Sequence, residues 1–190
     1  KTKEKIIKEL IDDGYLKTKS IIDAFGIIDR KDFVLDADPN QAYENYPLSI
    51  GFGQTISQPL TVAFMLELLE LKQGEKILDI GAGSGWQTAL LAQIVGEQGK
   101  VIAIERIPEL KLIAEQNIFK YNFIEKGVVK ILAGDGSQGY EIDMPYDKII
   151  AAATANELPR IWKEQIKIGG RIVAPVGNSI ILLEKKGQNN

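Results

Sequence analysis

The spacing of apolar residues changes near residue 60 of this 190-residue chain. Before that point, apolar residues recur at helical intervals in two short segments: Ile6, Ile7, Leu10 and Ile11, and then Ile21, Ile22 and Phe25. Gly14 and Gly26 interrupt these segments. The pattern predicts a helical and irregular part over 1–60. It contains a long polar stretch, 36–59, without regular structure, and stretches of that kind are often functional.

From residue 61 the pattern becomes regular, and short apolar runs alternate with helical patterns. It predicts helices over 61–71, 86–95, 108–121 and 158–165, and strands over 76–80, 101–105, 128–133, 146–153, 171–175 and 179–185. This alternation indicates an α/β fold with a mostly parallel, doubly wound sheet. The short connection at Val176-Gly177-Asn178 predicts a C-terminal antiparallel hairpin. We therefore expect one domain over 1–190, in which 61–190 form the α/β core.

The composition narrows the possible chemistry. The chain is 45% hydrophobic and 26% charged, with a net charge of −3 at pH 7, which is typical of a compact soluble domain. Its apolar runs are shorter than the about 18 residues that a membrane span needs, so we expect no membrane partner. The mild acidity argues against binding to nucleic acid, which relies on basic patches.

Two residue types are missing altogether. The chain has no Cys, which excludes thiol nucleophiles, zinc–thiolate sites and disulfides and fits a cytoplasmic location. It has no His either, so Ser-His-Asp triads and the usual imidazole metal ligands are excluded. We expect chemistry that runs on carboxylates, hydroxyls, amides, Lys, Arg or a cofactor, and no metal.

A glycine-rich turn lies between a predicted strand and a predicted helix: Asp79-Ile80-Gly81-Ala82-Gly83-Ser84-Gly85-Trp86. Glycines at such a turn let the backbone bend sharply and approach a ligand, and the helix behind it offers free amide groups. Because Trp86 replaces the third glycine of the dinucleotide fingerprint, a nicotinamide dehydrogenase is a poor match. A tight turn that uses glycine for structural reasons alone stays an alternative at this point.

Two further acidic residues follow the next two predicted strands. Glu105 ends the strand over 101–105, where it can accept hydrogen bonds from two ribose hydroxyls. Asp135 follows the strand over 128–133, where it can reach the edge of an adenine ring. Each carboxylate alone reads equally well as a solvated loop residue. With Asp79 before the glycine turn, the set resembles the S-adenosylmethionine site of Rossmann-like methyltransferases. The resemblance implies that Asp79 lies near the amino group of the cofactor's methionine part.

The segment before the helix predicted over 61–71 carries the most specific pattern: Ser49-Ile50-Gly51-Phe52-Gly53-Gln54-Thr55-Ile56-Ser57-Gln58-Pro59. Read locally, Ser57 is a good helix N-cap and Pro59 suits a first helical turn, which favours a capping role. The segment also strongly resembles the Gly-x-Gln-Thr-Ile-Ser-x-Pro motif of the protein-L-isoaspartate O-methyltransferase family.

Other landmarks of that family follow in the same order, over residues 10–177. They are Arg30-Lys31-Asp32-Phe33-Val34, Ala42-Tyr43, Pro47-Leu48, Gly83-Ser84-Gly85-Trp86-Gln87-Thr88-Ala89, Gly134-Asp135-Gly136, Pro145-Tyr146-Asp147 and Pro175-Val176-Gly177. Trp86 stands where many members have Tyr. The chain ends at Asn190 without the family's Phe-Val-Pro-Leu-like end, so its last strand is either absent or clipped.

The resemblance implies a Rossmann-like, S-adenosyl-L-methionine-dependent methyltransferase that repairs proteins. Such an enzyme methylates the α-carboxylate of L-isoaspartyl residues and, less well, D-aspartyl residues, and the ester re-forms a succinimide that opens partly to aspartate. By resemblance, Ser57 is the catalytic residue. The implied cofactor contacts are Thr55, Ile56, Asp79, Gly81, Gly83, Ser84, Gly85, Glu105, Arg106, Asp135 and Gly136. The implied substrate contacts are Gln54, Ser57, Pro175 and Val176.

The acceptor chemistry agrees with the absence of His. A carboxylate with a pKa of about 4 is already ionised at pH 7 and gains little from a general base. The protein must instead align the anionic oxygen behind the methyl group and exclude water. Ser57 can donate one hydrogen bond to that acceptor.

Two other functions stay open on the residues alone. One is a methyltransferase of the same fold that acts on a small molecule or on nucleic acid, and the other is a module that binds the cofactor without transferring its methyl group. We expect isoaspartyl-containing proteins and peptides as partners of a monomeric protein.

Overall fold

Residues 1–34, 41–154 and 156–187 are described by a computed structural model of the chain. The helices are α1 (Lys3–Asp12), α2 (Lys19–Ile27), α3 (Pro59–Leu69), α4 (Trp86–Val95), α5 (Pro108–Phe119) and α6 (Arg160–Gln165). The strands are β1 (Leu48–Gly51), β2 (Gln54–Ile56), β3 (Lys76–Ile80), β4 (Lys100–Glu105), β5 (Val129–Ala133), β6 (Tyr146–Ala151), β7 (Ile166–Val176) and β8 (Ser179–Glu184). Short 3₁₀ helices cover Arg30–Phe33, Gln41–Tyr43, Gly136–Gln138 and Glu141–Asp143. None of the helices in the described ranges is long and apolar enough to cross a membrane.

Six strands form one sheet in the order β5-β4-β3-β6-β7-β8. Its neighbours pair in parallel except β7 and β8, which form an antiparallel hairpin. The predicted mostly parallel sheet with a C-terminal hairpin is therefore confirmed. The chain leaves β3 towards β4 and β5 and then returns to β6 on the other side of β3. Ligands bind in open α/β sheets beside the carboxyl ends of strands at such a reversal.

Both faces of the sheet are covered, which explains the nearly continuous apolar runs of its strands. On β3, Ile77 faces a large cluster that includes residues of α1 to α5. Leu78 and Ile80 face the opposite side, where Trp162 of α6 is buried. The N-terminal helices therefore share a layer with α3, α4 and α5.

The stretch predicted to be irregular over 36–59 is more regular than expected, and that prediction was wrong in part. β1 and β2 pair as an antiparallel hairpin with Leu48 opposite Ile56. Its turn places Gly51, Phe52 and Gly53 at φ values of 84°, 53° and 69°. Strands of three or four residues are too short for apolar alternation to stand out, but the paired glycines around Phe52 are a hairpin signal. Residues 36–40 lie outside the described residues.

Strand β7 also departs from prediction, because it begins at Ile166 rather than at 171. The pairing of Tyr146 with Ile166 shifts abruptly to that of Lys148 with Arg171, which leaves extra residues bulged out of β7. Gly169, with φ of 80°, lies in the bulge. Glycines weaken a strand pattern, so the sequence interpretation began the strand only after them.

Smaller boundary errors occur elsewhere. The helix predicted over 108–121 ends at Phe119, and the one predicted over 158–165 begins at Arg160. The strand predicted over 146–153 ends at Ala151. Element ends are the least reliable part of any sequence interpretation.

The N-terminal segment is attached to the rest of the molecule by long-range hydrogen bonds. The carboxylate of Glu67 on α3 accepts from the backbone N–H groups of Lys17 and Thr18, at 2.8 and 2.9 Å, and from the Thr18 hydroxyl at 2.7 Å. Thr18 is the N-cap of α2, and its own side chain makes no capping bond. The Tyr121 hydroxyl accepts from the backbone N–H of Asp29 at 2.9 Å and donates to the Asp32 carboxylate at 2.7 Å.

We expect Glu67→Ala to lower the free energy of unfolding by about 1–2 kcal/mol, because the N–H groups of Lys17 and of the N-cap Thr18 lose their acceptor at the entry to α2. Urea unfolding measures this change. Glu125→Ala at an exposed position is the control, with an expected change within about 0.5 kcal/mol. Equal losses in the two variants would contradict the capping role.

Candidate active site

The glycine turn between β3 and α4 needs glycine for measurable reasons. Gly81, Gly83 and Gly85 have φ values of 85°, 56° and 98°, in the left-handed region that other residues rarely adopt. A Cβ atom on Gly85 would lie 3.0 Å from Ile118 Cδ1 and 3.3 Å from Ala114 Cα of α5. The turn thus lets α4 start close to α5, and at this position the glycine also has a structural role.

Glu105, at the end of β4, fixes the backbone of this turn. Its Oε2 accepts from the Gly83 N–H at 2.8 Å and its Oε1 accepts from the Ile107 N–H at 2.9 Å. The residue is only 6% exposed. A carboxylate oxygen has more than one acceptor position, so these bonds leave it able to accept from a ligand hydroxyl as well.

Asp79 lies behind the turn rather than in an open site. It is fully buried, and its two oxygens accept from Gln87 Nε2 at 2.8 Å and Thr88 Oγ1 at 2.6 Å on the first turn of α4. Burial raises the pKa of Asp79 to about 6, against the lowering effect of these two hydrogen bonds, and the nearby charge of Glu105 raises it further. The carboxyl group therefore anchors the start of α4.

Ser57 does not cap the following helix, so the local interpretation of this residue was wrong. The N-cap of α3 is Gln58, whose side chain makes no capping bond, while Pro59 takes the first helical turn as predicted. The side chain of Asn45 supplies the acceptor, because its Oδ1 accepts from the Leu60 N–H at 3.0 Å. The Ser57 hydroxyl is left available for another partner.

A cleft brings the two sequence motifs together. Its lining residues come from the end of β2, from α3, from the glycine turn and from the end of β6: Thr55, Ile56, Ser57, Val62, Gly81, Ala82, Gly83, Ser84, Trp86, Gln87 and Ala152. A Cβ atom on Gly83 would lie 3.3 Å from Ile50 Cδ1, so the β1–β2 hairpin packs directly against the turn. The cleft lies between the carboxyl ends of β3 and β6, where the chain reverses direction.

Two polar atoms at the cleft are buried without a hydrogen-bond partner in the described part of the chain. They are the Ser84 hydroxyl and the indole N–H of Trp86, on residues that are 3% and 4% exposed. A buried polar atom without a partner is costly, and a ligand with polar groups is one way to satisfy it. The side chains here fit a polar organic cofactor.

The other predicted cofactor residues lie at the ends of the neighbouring strands. Asp135 follows β5, is exposed, and accepts from the Ser137 N–H at 3.0 Å, which with the charge of Arg106 holds the pKa of Asp135 below its usual value. Arg106 is exposed after β4. A Cβ atom on Gly136 would collide with the Ile80 side chain, and the Gly136 carbonyl accepts from Trp162 Nε1 at 2.9 Å.

Three predicted substrate residues are not in the cleft lining. Gln54 is exposed at the start of β2, opposite Gly51. Pro175 and Val176 are half-buried at the end of β7. Because β7 runs parallel to β6, Pro175 and Val176 lie at the same edge of the six-stranded sheet as the cleft. No group of His, Cys, Asp and Glu residues in the described ranges is arranged to bind a metal ion.

The structure also adds residues that sequence interpretation did not assign to the site. Arg30 is 4% exposed and donates to the Ser57 carbonyl at 3.0 Å. Gln87 and Thr88 bind Asp79, and Asn45 caps α3. Arg30, Gln87 and Thr88 lie in segments that matched family landmarks, which was the only signal for them. The sequence carried no sign that Asn45 is a cap, because its partner is 15 residues away.

Comparison with known proteins assigns a family to this geometry. The family model described as "Protein-L-isoaspartate(D-aspartate) O-methyltransferase" matches residues 1–190. The chain is 44% identical to the protein-L-isoaspartate O-methyltransferase of Methanococcus aeolicus, covering 100% of this chain and 88% of that protein. It is 44% identical to that of Ignicoccus hospitalis, covering 92% of this chain and 81% of the relative.

Solved structures agree with this result. A protein-L-isoaspartate O-methyltransferase structure superimposes with a TM-score of 0.86 at 29% identity, covering 97% of this chain and 60% of that one. A crystal structure from Plasmodium falciparum, described as a protein-L-isoaspartate O-methyltransferase in complex with S-adenosyl-L-homocysteine, gives 0.88 at 23% identity, covering 98% and 91%. Because the sequence identity to the second structure is only 23%, that similarity shows the shared fold alone.

The raised pKa of Asp79 predicts a pH dependence of stability. Between its ordinary value of 3.8 and about 6, folded Asp79 keeps a proton that the unfolded chain has lost. The unfolding free energy should therefore fall as pH rises through this window, by at most about 1.4 kcal/mol per pH unit. In Asp79→Asn this contribution is absent. Urea unfolding of both proteins from pH 4 to 7 checks the difference, and parallel curves would contradict it.

Proposed function

Because the chain belongs to the protein-L-isoaspartate O-methyltransferase family, we propose that its cleft is the methyl-transfer site, with the acceptor on the Gln54–Ser57 side and the donor on the glycine-turn side. The protein is a repair enzyme that uses S-adenosyl-L-methionine to methylate L-isoaspartyl residues. The observation that carries this site assignment is the shared cleft. Ser57 and Gly83 both line it, although they belong to two different motifs of the sequence.

The reaction requires positioning more than proton transfer. When bound, S-adenosyl-L-methionine supplies a methyl group on a positively charged sulfur. The acceptor carboxylate is ionised at neutral pH, so the absence of His costs the enzyme nothing. The residues around the cleft have to align the acceptor oxygen and exclude water, and such alignment can contribute about 7–11 kcal/mol.

Ser57 is the catalytic residue in this proposal. Its hydroxyl donates a hydrogen bond to the acceptor carboxylate and so orients one oxygen towards the methyl group. Three facts support the role: Ser57 lines the cleft, it is half-buried, and the capping of α3 is carried out by Asn45. Thr55 and Ile56, on the same wall, shape the contact between donor and acceptor.

The glycine turn and the strand ends form the donor side. Glu105 accepts from the ribose hydroxyls while it braces Gly83, and Asp135 accepts from the adenine amino group. The unpartnered Ser84 hydroxyl bonds to a polar group of the cofactor. Asp79 would act on the methionine end of the cofactor from behind the turn, where it keeps α4 in place through its bonds to the first helical turn. The remaining cofactor contacts in this proposal come from Gly81, Gly85, Arg106 and Gly136.

The substrate side of the proposal extends beyond the cleft. Gln54, exposed on β2, and Pro175 and Val176, at the end of β7, contact the peptide around its isoaspartyl residue. The net charge of −3 supports a protein that acts without nucleic acid, and the absence of Cys supports action in the cytoplasm. We propose a monomer, since one chain supplies both sides of the cleft.

The first test compares two peptides that differ only in L-isoaspartate or L-aspartate at one position. With labelled S-adenosyl-L-methionine, we expect methanol release by mild base from the isoaspartyl peptide alone, because that release reports a carboxyl methyl ester. No release from either peptide, with the cofactor bound, would contradict the function and favour another acceptor or a non-catalytic module.

We expect Ser57→Ala to lower kcat for the isoaspartyl peptide by about 10- to 100-fold, because a hydrogen bond to a charged group contributes about 1.5–3 kcal/mol. The dissociation constant of S-adenosyl-L-homocysteine, measured by calorimetry, should stay nearly unchanged. Ser49→Ala, at an exposed position of the same hairpin, is the matched control and should retain activity. Equal losses of turnover and cofactor affinity in Ser57→Ala would rule out the catalytic role.

A further inference from the structure

We propose that Arg30 is a positioning residue for methyl transfer, which holds the backbone of Ser57 in register with the donor side of the cleft. The inference rests on the proposed function, because it assigns Arg30 a part in the same reaction. Its basis is the set of contacts that one buried guanidinium makes with both sides of the site.

Arg30 binds backbone carbonyls from two separate segments. Its Nη1 donates to the Ala42 carbonyl at 2.7 Å and, more weakly, to the Glu44 carbonyl at 3.4 Å. Its Nη2 donates to the carbonyls of Tyr46 and Ser57 at 3.1 and 3.0 Å. The segment before β1 and the residue after β2 are therefore attached to the same planar group.

The same guanidinium also contacts the donor side. Its Cζ atom lies 5.2 Å from the ring centroid of Trp86, a cation–π distance. Trp86 is the first residue of α4, directly after Gly85, and it lines the cleft. The ring also packs edge-on against Phe25 of α2 at 5.6 Å, which limits its movement. Arg30 thus connects Ser57 to the glycine turn through one aromatic ring.

The burial of Arg30 is hard to explain by stability alone. The residue is 4% exposed, and it makes no ion pair with a carboxylate in the described part of the chain. Burial lowers the pKa of Arg30 to about 10, which reflects the cost of keeping this charge from water. A buried charge of this kind can fix one specific geometry even where an apolar side chain would pack at lower cost.

Only arginine has the shape for this arrangement. Its guanidinium is planar, presents donors in fixed directions and stacks on an aromatic face, whereas the lysine ammonium is a compact point charge. Arg30→Lys keeps the charge but loses both the pair of Nη donors that bind the two segments and the contact of the guanidinium with the Trp86 ring. The Ser57 carbonyl then loses its fixed partner, and the hydroxyl on the same residue shifts relative to the donor.

The experiment compares Arg30→Lys and Arg30→Gln with Arg171→Lys as the matched control. Arg171 also donates to a backbone carbonyl, that of Leu68 at 2.9 Å, and pairs with Glu70 at 2.9 Å, but it lies in the middle of β7, opposite Lys148 near the start of β6, rather than at the carboxyl end of the strand. For each protein, kcat and KM for the isoaspartyl peptide, the dissociation constant of S-adenosyl-L-homocysteine and the thermal unfolding midpoint are measured, with assays well below that midpoint.

We expect kcat to fall by about 10- to 100-fold in the Arg30 variants, as for a misplacement of about 1 Å, with S-adenosyl-L-homocysteine affinity within about threefold. Arg171→Lys should keep kcat while it lowers the midpoint. The decisive measurement adds Arg30→Lys to Ser57→Ala. If Arg30 acts through Ser57, the second substitution lowers kcat little further, because the two residues act as a unit.

Three results would overturn the inference and leave the proposed function standing, and a fourth would overturn both. Losses in kcat that multiply in the double variant would show that Arg30 does not act through Ser57. An unchanged kcat with a lowered midpoint, or loss of folding in both Arg30 variants, would assign it a purely structural role. In each of these three cases the protein without substitutions still methylates the isoaspartyl peptide, so the proposed function stands. If the protein without substitutions methylated neither peptide, both the proposed function and the positioning role of Arg30 would be overturned.

Discussion

The hydrogen bond between the Gly83 N–H and the Glu105 carboxylate is the contact on which the site depends most. It sets the path of the backbone where β3 becomes α4, and the second oxygen of Glu105 fixes the start of the segment after β4. Asp79 holds the first turn of α4 through the hydrogen bonds that it accepts from Gln87 and Thr88. Two carboxylates therefore shape the donor side through bonds within the protein, and the side chains of the acceptor segment can be placed against a defined surface.

The acceptor side depends on contacts of longer range. The β1–β2 hairpin is only two strands wide, and a sheet of that size has little stability of its own. It is supported by Ile50 against the glycine turn, by Asn45 at the start of α3 and by Arg30 under Ser57. Methyl transfer needs an alignment of about half an ångström or better. The partners in these contacts are the glycine turn, the start of α3 and Arg30, which restrain the hairpin from three parts of the chain.

Much of the fold was predictable because it depends on patterns of neighbouring residues in the sequence. Apolar runs, and the glycine and polar residues between them, predict the sheet, its C-terminal hairpin, the glycine turn and the acidic strand ends. Ser57 was recognised through its motif, while its capping role was wrong because Asn45, which performs it, is remote in sequence. The burial of Arg30 and the bulge at Gly169 were missed for the same physical reason, since both depend on partners that no local window contains.

The long-range attachment of the N-terminal segment has a consequence for synthesis on the ribosome. Residues 1–60 leave the exit tunnel before the groups that hold them: Glu67 for α2, Trp86 for Arg30 and Tyr121 for Asp29 and Asp32. Residues 1–60 therefore cannot make all of these contacts until α5 and Tyr121 have emerged. Translation must extend beyond residue 121 before the segment can be attached to the rest of the fold as the structure shows it.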